Sequence, residues 1–157
     1  HLNPAVTVVT ALQRALPWRV AGLYVSAQVI GGVAGTAIAH LMFEAPLVMI
    51  GDQARTGPAQ WLSEGVATFG LLLTILVGAQ QRPTAIPALV ASYIVAAYWF
   101  TASTSFANPA VAIARALTDT FSGIRPIDVP AFVAAQFAGA VLAMAVSQWL
   151  LPKEHAA

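Results

Sequence analysis

Asn-Pro-Ala-Val occurs twice in this chain, at residues 3–6 and 108–111, and each copy is followed by Ala-Leu at the same offset, Ala11-Leu12 and Ala116-Leu117. Proline loses nothing in the first turn of a helix, where its missing N–H would lack a partner in any case. Asparagine just before it suits the N-cap, where its side-chain oxygen accepts from the first free backbone amides. Each copy therefore reads as the start of a short helix whose positive dipole end and asparagine amide point at one place. Such groups break no bonds. They orient a hydroxyl-bearing neutral molecule by hydrogen bonds and repel cations. The sequence has no cysteine, no HExxH and no GxSxG, and its histidines, His1, His40 and His155, are scattered. That leaves no metal site, cofactor site or nucleophile to propose. His155 reads as a solvated tail residue.

The elements that must position these motifs are membrane spans. Apolar residues make up 59% of the chain and charged residues 8%, where soluble domains run to roughly a quarter charged. Mean hydropathy is +0.76. Residues 20–43, 65–81, 83–114 and 129–151 contain no Asp, Glu, Lys or Arg. A bilayer crossing takes about 20 apolar residues, so four spans are expected near 18–42, 59–80, 84–104 and 129–151. Trp18 and Trp61 open the first two, Trp149 closes the last and Trp99 sits near one end of the third, as aromatic residues do at a membrane interface. Polar, breaker-rich stretches connect them, "EAPLVMIGDQARTGP", "QQRPT" and "RPIDVP". If the spans alternate, Arg14, Arg19, Arg82 and Lys153 share one side, which the positive-inside rule makes cytoplasmic. A net charge of +1 gives no reason to expect nucleic acid as a partner.

The order of elements also repeats. After each Asn-Pro-Ala-Val comes a half-helix too short to span, about 4–14 and 109–120. A breaker region follows, and then a full span. The two spans match internally, "YVSAQVIGG" with Gln28 and Gly31 against "FVAAQFAGA" with Gln136 and Gly139. One span enters from the cytoplasmic side and the other from outside, so the two units are inverted relative to each other. Inverted repeats place a site near the midplane, between the repeats. Non-helical backbone survives at that depth only when buried in protein or lining a watery cavity. Gly31, Gly32, Gly35, Gly139 and Ala143 suit close helix packing.

With these motifs in view, the whole chain resembles the major intrinsic proteins, the aquaporins and aquaglyceroporins. "HLNPAVT" is similar to that family's first signature loop and "NPAVAIARAL" to its second. The resemblance implies an all-α membrane protein with two half-helices, built as an aquaporin-like inverted repeat. The family has six spans, and by that pattern the first two are missing here and the chain is most of a longer protein. The implied function is a passive channel for water and small neutral solutes in the cytoplasmic membrane of a bacterium. The implied partners are the lipid bilayer and three further copies in a homotetramer. The pore constriction would be Asn3, Pro4 and Ala5 with Asn108, Pro109 and Ala110. Glu64, Gln28, Gln136 and His1 would support the two loops.

The chain departs from the family at Val111, where most aquaporins carry arginine. That arginine narrows the outer constriction, donates hydrogen bonds and repels cations. Spacing from Asn108 places Ser105 and Ala96 in the same filter, and Phe106 with them, packing against the half-helix being the alternative for its ring. Arg115, one turn on, reads as a local partner of Asp119 at i+4 rather than as a substitute. A wide filter without a fixed cation suits solutes larger than water. "YWFTASTSFANPAV" is similar to a bacterial subgroup with valine after the motif, some of whose members are associated with arsenic resistance. Glycerol, and arsenite as its neutral trihydroxy species, are therefore the solutes to expect. Two rival readings stand beside this one. An ion- or proton-coupled transporter would need intramembrane ionisable groups, and the spans offer only Glu64 and His40. A non-conducting fragment would follow if the missing spans complete the pore wall.

Overall fold

A computed structural model describes residues 1–151; His155 and Lys153 lie outside the described residues. Among those described there are six α-helices and no strand: α1 Pro4–Leu12, α2 Trp18–Met42, α3 Pro58–Gln81, α4 Ile86–Phe100, α5 Pro109–Arg115 and α6 Val129–Leu150. Single 3₁₀ turns at Pro83–Ala85 and Pro126–Asp128 lead into α4 and α6. With those turns included, α2, α3, α4 and α6 form four helices long and apolar enough to cross a membrane. Large apolar side chains stand exposed along them, including Leu23, Ile30, Leu62, Val95 and Leu142, with Trp99 and Trp149 each 82% exposed. An apolar surface of this extent would be a liability in water and fits a hydrocarbon surround. The protein is an all-α, multi-pass membrane protein.

The helix ends follow from local chemistry. Asn3 and Asn108 cap α1 and α5 from extended backbone, and Pro4 and Pro109 take the first helical position. Gly57 adopts φ +102° ahead of Pro58, a conformation only glycine holds without strain. Both half-helices are shorter than the expected 4–14 and 109–120. α1 stops because Arg14 turns into the left-handed region at φ 61°. α5 stops because its last carbonyl, on Arg115, accepts from Ile124 across the following turn, which draws residues 116–123 into a loop. The third span is also shorter than 84–104. The Thr101 hydroxyl donates to the Ala97 carbonyl (2.6 Å) and the backbone becomes extended there.

The core gathers around the half-helices. Ala5, Val6 and Val9 of α1 pack with Ala67, Leu71 and Leu72 of α3 and with Ala140 and Ala143 of α6. A second cluster joins Ala112 and Ala116 to Phe106, Ile124 and Phe132. The most extensive helix pairing is α3 with α6. Its closest point is Gly139, where an added Cβ would run into the Gly65 carbonyl and come within 3.0 Å of the Phe69 nitrogen. Gly32 plays the same part between α2 and α5, where an added Cβ would come within 3.3 Å of the Ala114 Cβ and 3.4 Å of the Ala110 carbonyl. At Gly31 and Gly35, also expected at a close helix contact, an added Cβ would meet nothing within 4 Å.

Gly139→Ala should therefore force α6 off α3 and cost about 1–3 kcal/mol, the range for overpacking a tight contact. Gly22→Ala, on a site with nothing within 4 Å, should be neutral or slightly stabilising. Thermal unfolding of the detergent-solubilised variants separates the two.

Candidate functional site

The two Asn-Pro-Ala motifs meet, and their asparagines bind across the junction. The Asn3 amide nitrogen donates to the Ala107 carbonyl (2.7 Å), and the Asn108 amide nitrogen donates to the Leu2 carbonyl (3.0 Å). Each side-chain oxygen faces its own helix. Asn3 Oδ1 accepts from Ala5 N (2.9 Å), and Asn108 Oδ1 accepts from Ala110 N (3.0 Å) and Val111 N (3.4 Å). A primary amide carries two N–H donors, so one N–H on each asparagine remains for a third party. Pro4, Ala5, Pro109 and Ala110 are buried behind them. Two helix N-termini are thus locked head to head by reciprocal side-chain bonds, with an open donor on each side.

The second loop is held in an unfavourable conformation. Thr104, Ser105 and Ala107 all have positive φ (61°, 50° and 46°), a region that costs residues other than glycine roughly 1 kcal/mol or more each. The carboxylate of Glu64 offsets that cost. It is fully buried and accepts from Phe106 N (2.8 Å), Ala107 N (2.9 Å) and Gln136 Nε2 (2.7 Å). The first loop is tied differently. Gln28 Nε2 donates to the His1 carbonyl (3.1 Å) and to Thr7 Oγ1 (2.9 Å), with His1 Nδ1 3.5 Å from the same hydroxyl. Gln28 and Gln136, matched in the repeat, therefore act by different routes, one on the loop itself and one through a carboxylate.

Of the expected filter residues, Val111 and Ser105 are half-buried next to the second motif, and the Ser105 hydroxyl has no partner among the described residues. Ala96 lies on an exposed face of α4. Phe106 takes the packing alternative rather than a lining position. Its ring is 5% exposed and meets Phe132 edge-on at 5.4 Å. The local pairing of Arg115 with Asp119 does not form. Asp119 Oδ1 accepts from the Asp52 amide (3.4 Å), while the Arg115 guanidinium stacks on Phe106 at 4.3 Å from the ring centre.

The stretch between α2 and α3, which reads in sequence as a plain polar loop, is part of the site. Gly51 N donates to the Ala116 carbonyl and Arg125 N to the Gln53 carbonyl (both 3.0 Å), so the segment lies against the end of α5. Arg55 is 7% exposed. It donates to the carbonyls of Gly123 (2.7 Å), Ser103 (3.0 Å) and Phe121 (2.9 Å) and to the Thr104 hydroxyl (3.4 Å). Its guanidinium also lies 4.9 Å from the Phe106 ring centre, and its backbone amide donates to Asp128 Oδ2 (2.9 Å). Burial pulls its pKa below the usual arginine value, and the nearby charge of Glu64 opposes that shift. An arginine in a long connecting loop carries no spacing signal, and only the fold brings it here.

Glu64→Gln should test the brace. The amide that replaces the carboxylate oxygen turns a donor toward other donors, and each buried donor left unpaired costs about 1–3 kcal/mol. A clear fall in unfolding temperature, larger than for Gln28→Ala at the more exposed loop, is expected.

Comparison with known proteins agrees with this geometry. A model of the family described as Major intrinsic protein matches residues 1–102. The chain is 61% identical over 151 residues to Aquaglyceroporin AqpS of Rhizobium meliloti (strain 1021), covering 96% of this chain and 65% of that protein. It is 34% identical over 110 residues to the Glycerol uptake facilitator protein of Bacillus subtilis (strain 168), covering 62% and 40%. It is 34% identical over 79 residues to Putative aquaporin NIP4-1 of Arabidopsis thaliana, covering 50% and 28%. The chain thus spans 65% of the length of the first of these relatives and less of the others. With paired half-helices capped by Asn-Pro-Ala and four apolar helices around them, the chain belongs to the major intrinsic protein family.

Proposed function

We propose that this chain forms the greater part of a passive channel for small neutral solutes, with glycerol and water as permeants and trivalent arsenite, a neutral trihydroxy species, as a further one. The observation that carries the reading is the crossed asparagine pair. Each amide is fixed by one bond across the junction and keeps a second N–H open, so a solute oxygen can exchange bulk water for two oriented donors. The two helix N-termini add positive potential at the same point, which disfavours cations. Movement is downhill and no bond is made or broken.

The names of the relatives point the same way, one being an aquaglyceroporin and another a glycerol uptake facilitator. Val111, Ser105 and Ala96 set the outer width in this reading. Asn3, Pro4, Ala5, Asn108, Pro109 and Ala110 form the midplane constriction, and His1, Gln28, Glu64 and Gln136 hold the loops around it. The protein resides in the cytoplasmic membrane of a bacterium and assembles as a homotetramer with one pore per subunit.

Stopped-flow light scattering on proteoliposomes of the full-length protein tests this, with water, glycerol and arsenite gradients compared against empty vesicles. Glycerol and arsenite flux well above the empty-vesicle rate is expected. Val111→Arg should cut both several-fold while water passage stays within about twofold of wild type, because an arginine there narrows the filter more than it blocks the smallest solute. Fast water with no solute flux would reject the solute assignment. Equal loss of water and glycerol in the variant would reject the filter role of Val111.

A further inference from the structure

The position after the second Asn-Pro-Ala is apolar, yet the space beside it is not free of charge. Arg115 follows Val111 by four residues on α5, about 6 Å along the axis and on the same face. Both residues line one cavity of about 630 Å³, together with Gly32 and Thr36 of α2. Long helical side chains lean toward the N-terminus of their helix, so Arg115 reaches back toward the motif. The geometry agrees, because its guanidinium lies over the ring of Phe106, two residues before Asn108. The Arg115 Nη1 atom is buried and has no hydrogen-bond partner among the described residues, and the same holds for the hydroxyl of Ser105 on the neighbouring loop.

Arg55 shares the Phe106 ring but is in a different state. Its guanidinium is bonded to three backbone carbonyls and a hydroxyl, so it fastens the loops and has little left to offer a solute. Among the described residues neither guanidinium has a carboxylate within ion-pair distance. Phe106 is thus a platform with one tethered cation and one that is stacked on it, its Nη1 without a partner among the described residues. Stacking on an aromatic face holds a guanidinium in place while leaving its in-plane N–H groups open.

We propose that Arg115 supplies the fixed positive charge and hydrogen-bond donor of the outer constriction, from one helical turn beyond the position held by Val111. The filter is then widened at the motif yet keeps its cation barrier. A neutral polyhydroxy solute passing Val111 would enter the cavity that Arg115 also lines, with the buried, unpartnered Arg115 Nη1 behind that lining. The inference rests on the channel reading above.

The test uses full-length protein in proteoliposomes, wild type against Arg115→Ala and Arg115→Lys. Monovalent-cation and proton leak are read with a pH-sensitive dye, polyol flux by light scattering, and unfolding temperature in detergent. Arg115→Ala is expected to raise cation leak several-fold and admit polyols larger than glycerol, with unfolding temperature close to wild type. Arg115→Lys should keep cations out while altering polyol selectivity, since lysine keeps the charge without the planar stack. Wild-type flux with an unchanged leak and size limit in Arg115→Ala overturns the inference and leaves the channel reading standing. Loss of all flux together with a lower unfolding temperature in both variants makes Arg115 a packing residue and overturns it as well. Absence of water and solute flux in folded wild type overturns both.

Discussion

A fully buried carboxylate holds the second loop, and with it the junction of the two half-helices, in place. Glu64 sits fully enclosed on α3 and accepts three hydrogen bonds, two of them from consecutive backbone amides of the second loop. A buried charge is tolerated only when its acceptor sites are filled, and here they are filled by amides that left-handed backbone turns toward it. The loop thus satisfies the carboxylate, and the carboxylate holds the loop in a conformation its own residues disfavour. That conformation aims the Ala107 carbonyl at the Asn3 amide and sets Asn108 against Leu2. Removing the carboxylate would leave two buried amides without partners at the point where the two half-helices join.

Close helix packing makes this arrangement possible. Glycine at 139 brings α6 against the backbone of α3 at Gly65, the residue after Glu64, so that Gln136 reaches the carboxylate from one turn away. Gly32 brings α2 against α5 in the same manner. Side-chain volume is therefore traded for backbone proximity, as apolar helices do when no hydrophobic effect drives them together in lipid. Large apolar side chains such as Leu23, Leu62 and Leu142 remain exposed on the helices.

An aromatic ring and two guanidiniums organise the surroundings of the second motif. Phe106 is fixed by Phe132 beneath it and by the Glu64 bond to its own amide. Arg55 then crosses from the segment between α2 and α3 and binds carbonyls on both sides of α5, on Ser103 before it and on Phe121 and Gly123 after it. Carbonyl oxygens rather than carboxylates hold this cation, so its charge is solvated by the protein without being neutralised. The surroundings of the second motif accordingly combine an apolar residue, Val111, with positive charge nearby.

The sequence alone determined the helical class, the four apolar helices and the two capped half-helices. Those features depend on composition and on contacts within a few residues, such as asparagine capping its own helix with proline in the first turn. It also marked Asn3, Asn108, Glu64, Gln28 and Gln136 as residues to place, because polar groups stand out in an apolar chain. Tertiary structure decided what each of them touches. The crossed bonds join residues more than a hundred positions apart, and the two matched glutamines turn to different partners. Arg55 enters from a loop with no periodicity. Arg115 lies over Phe106 and not beside Asp119, because the end of α5 turns back through Ile124 and Asp119 faces Asp52 instead. Local pattern fixes where a helix starts and which face is apolar. Which side chains meet is set by how the helices pack, and that depends on backbone approaches at a few glycines that spacing alone does not pair.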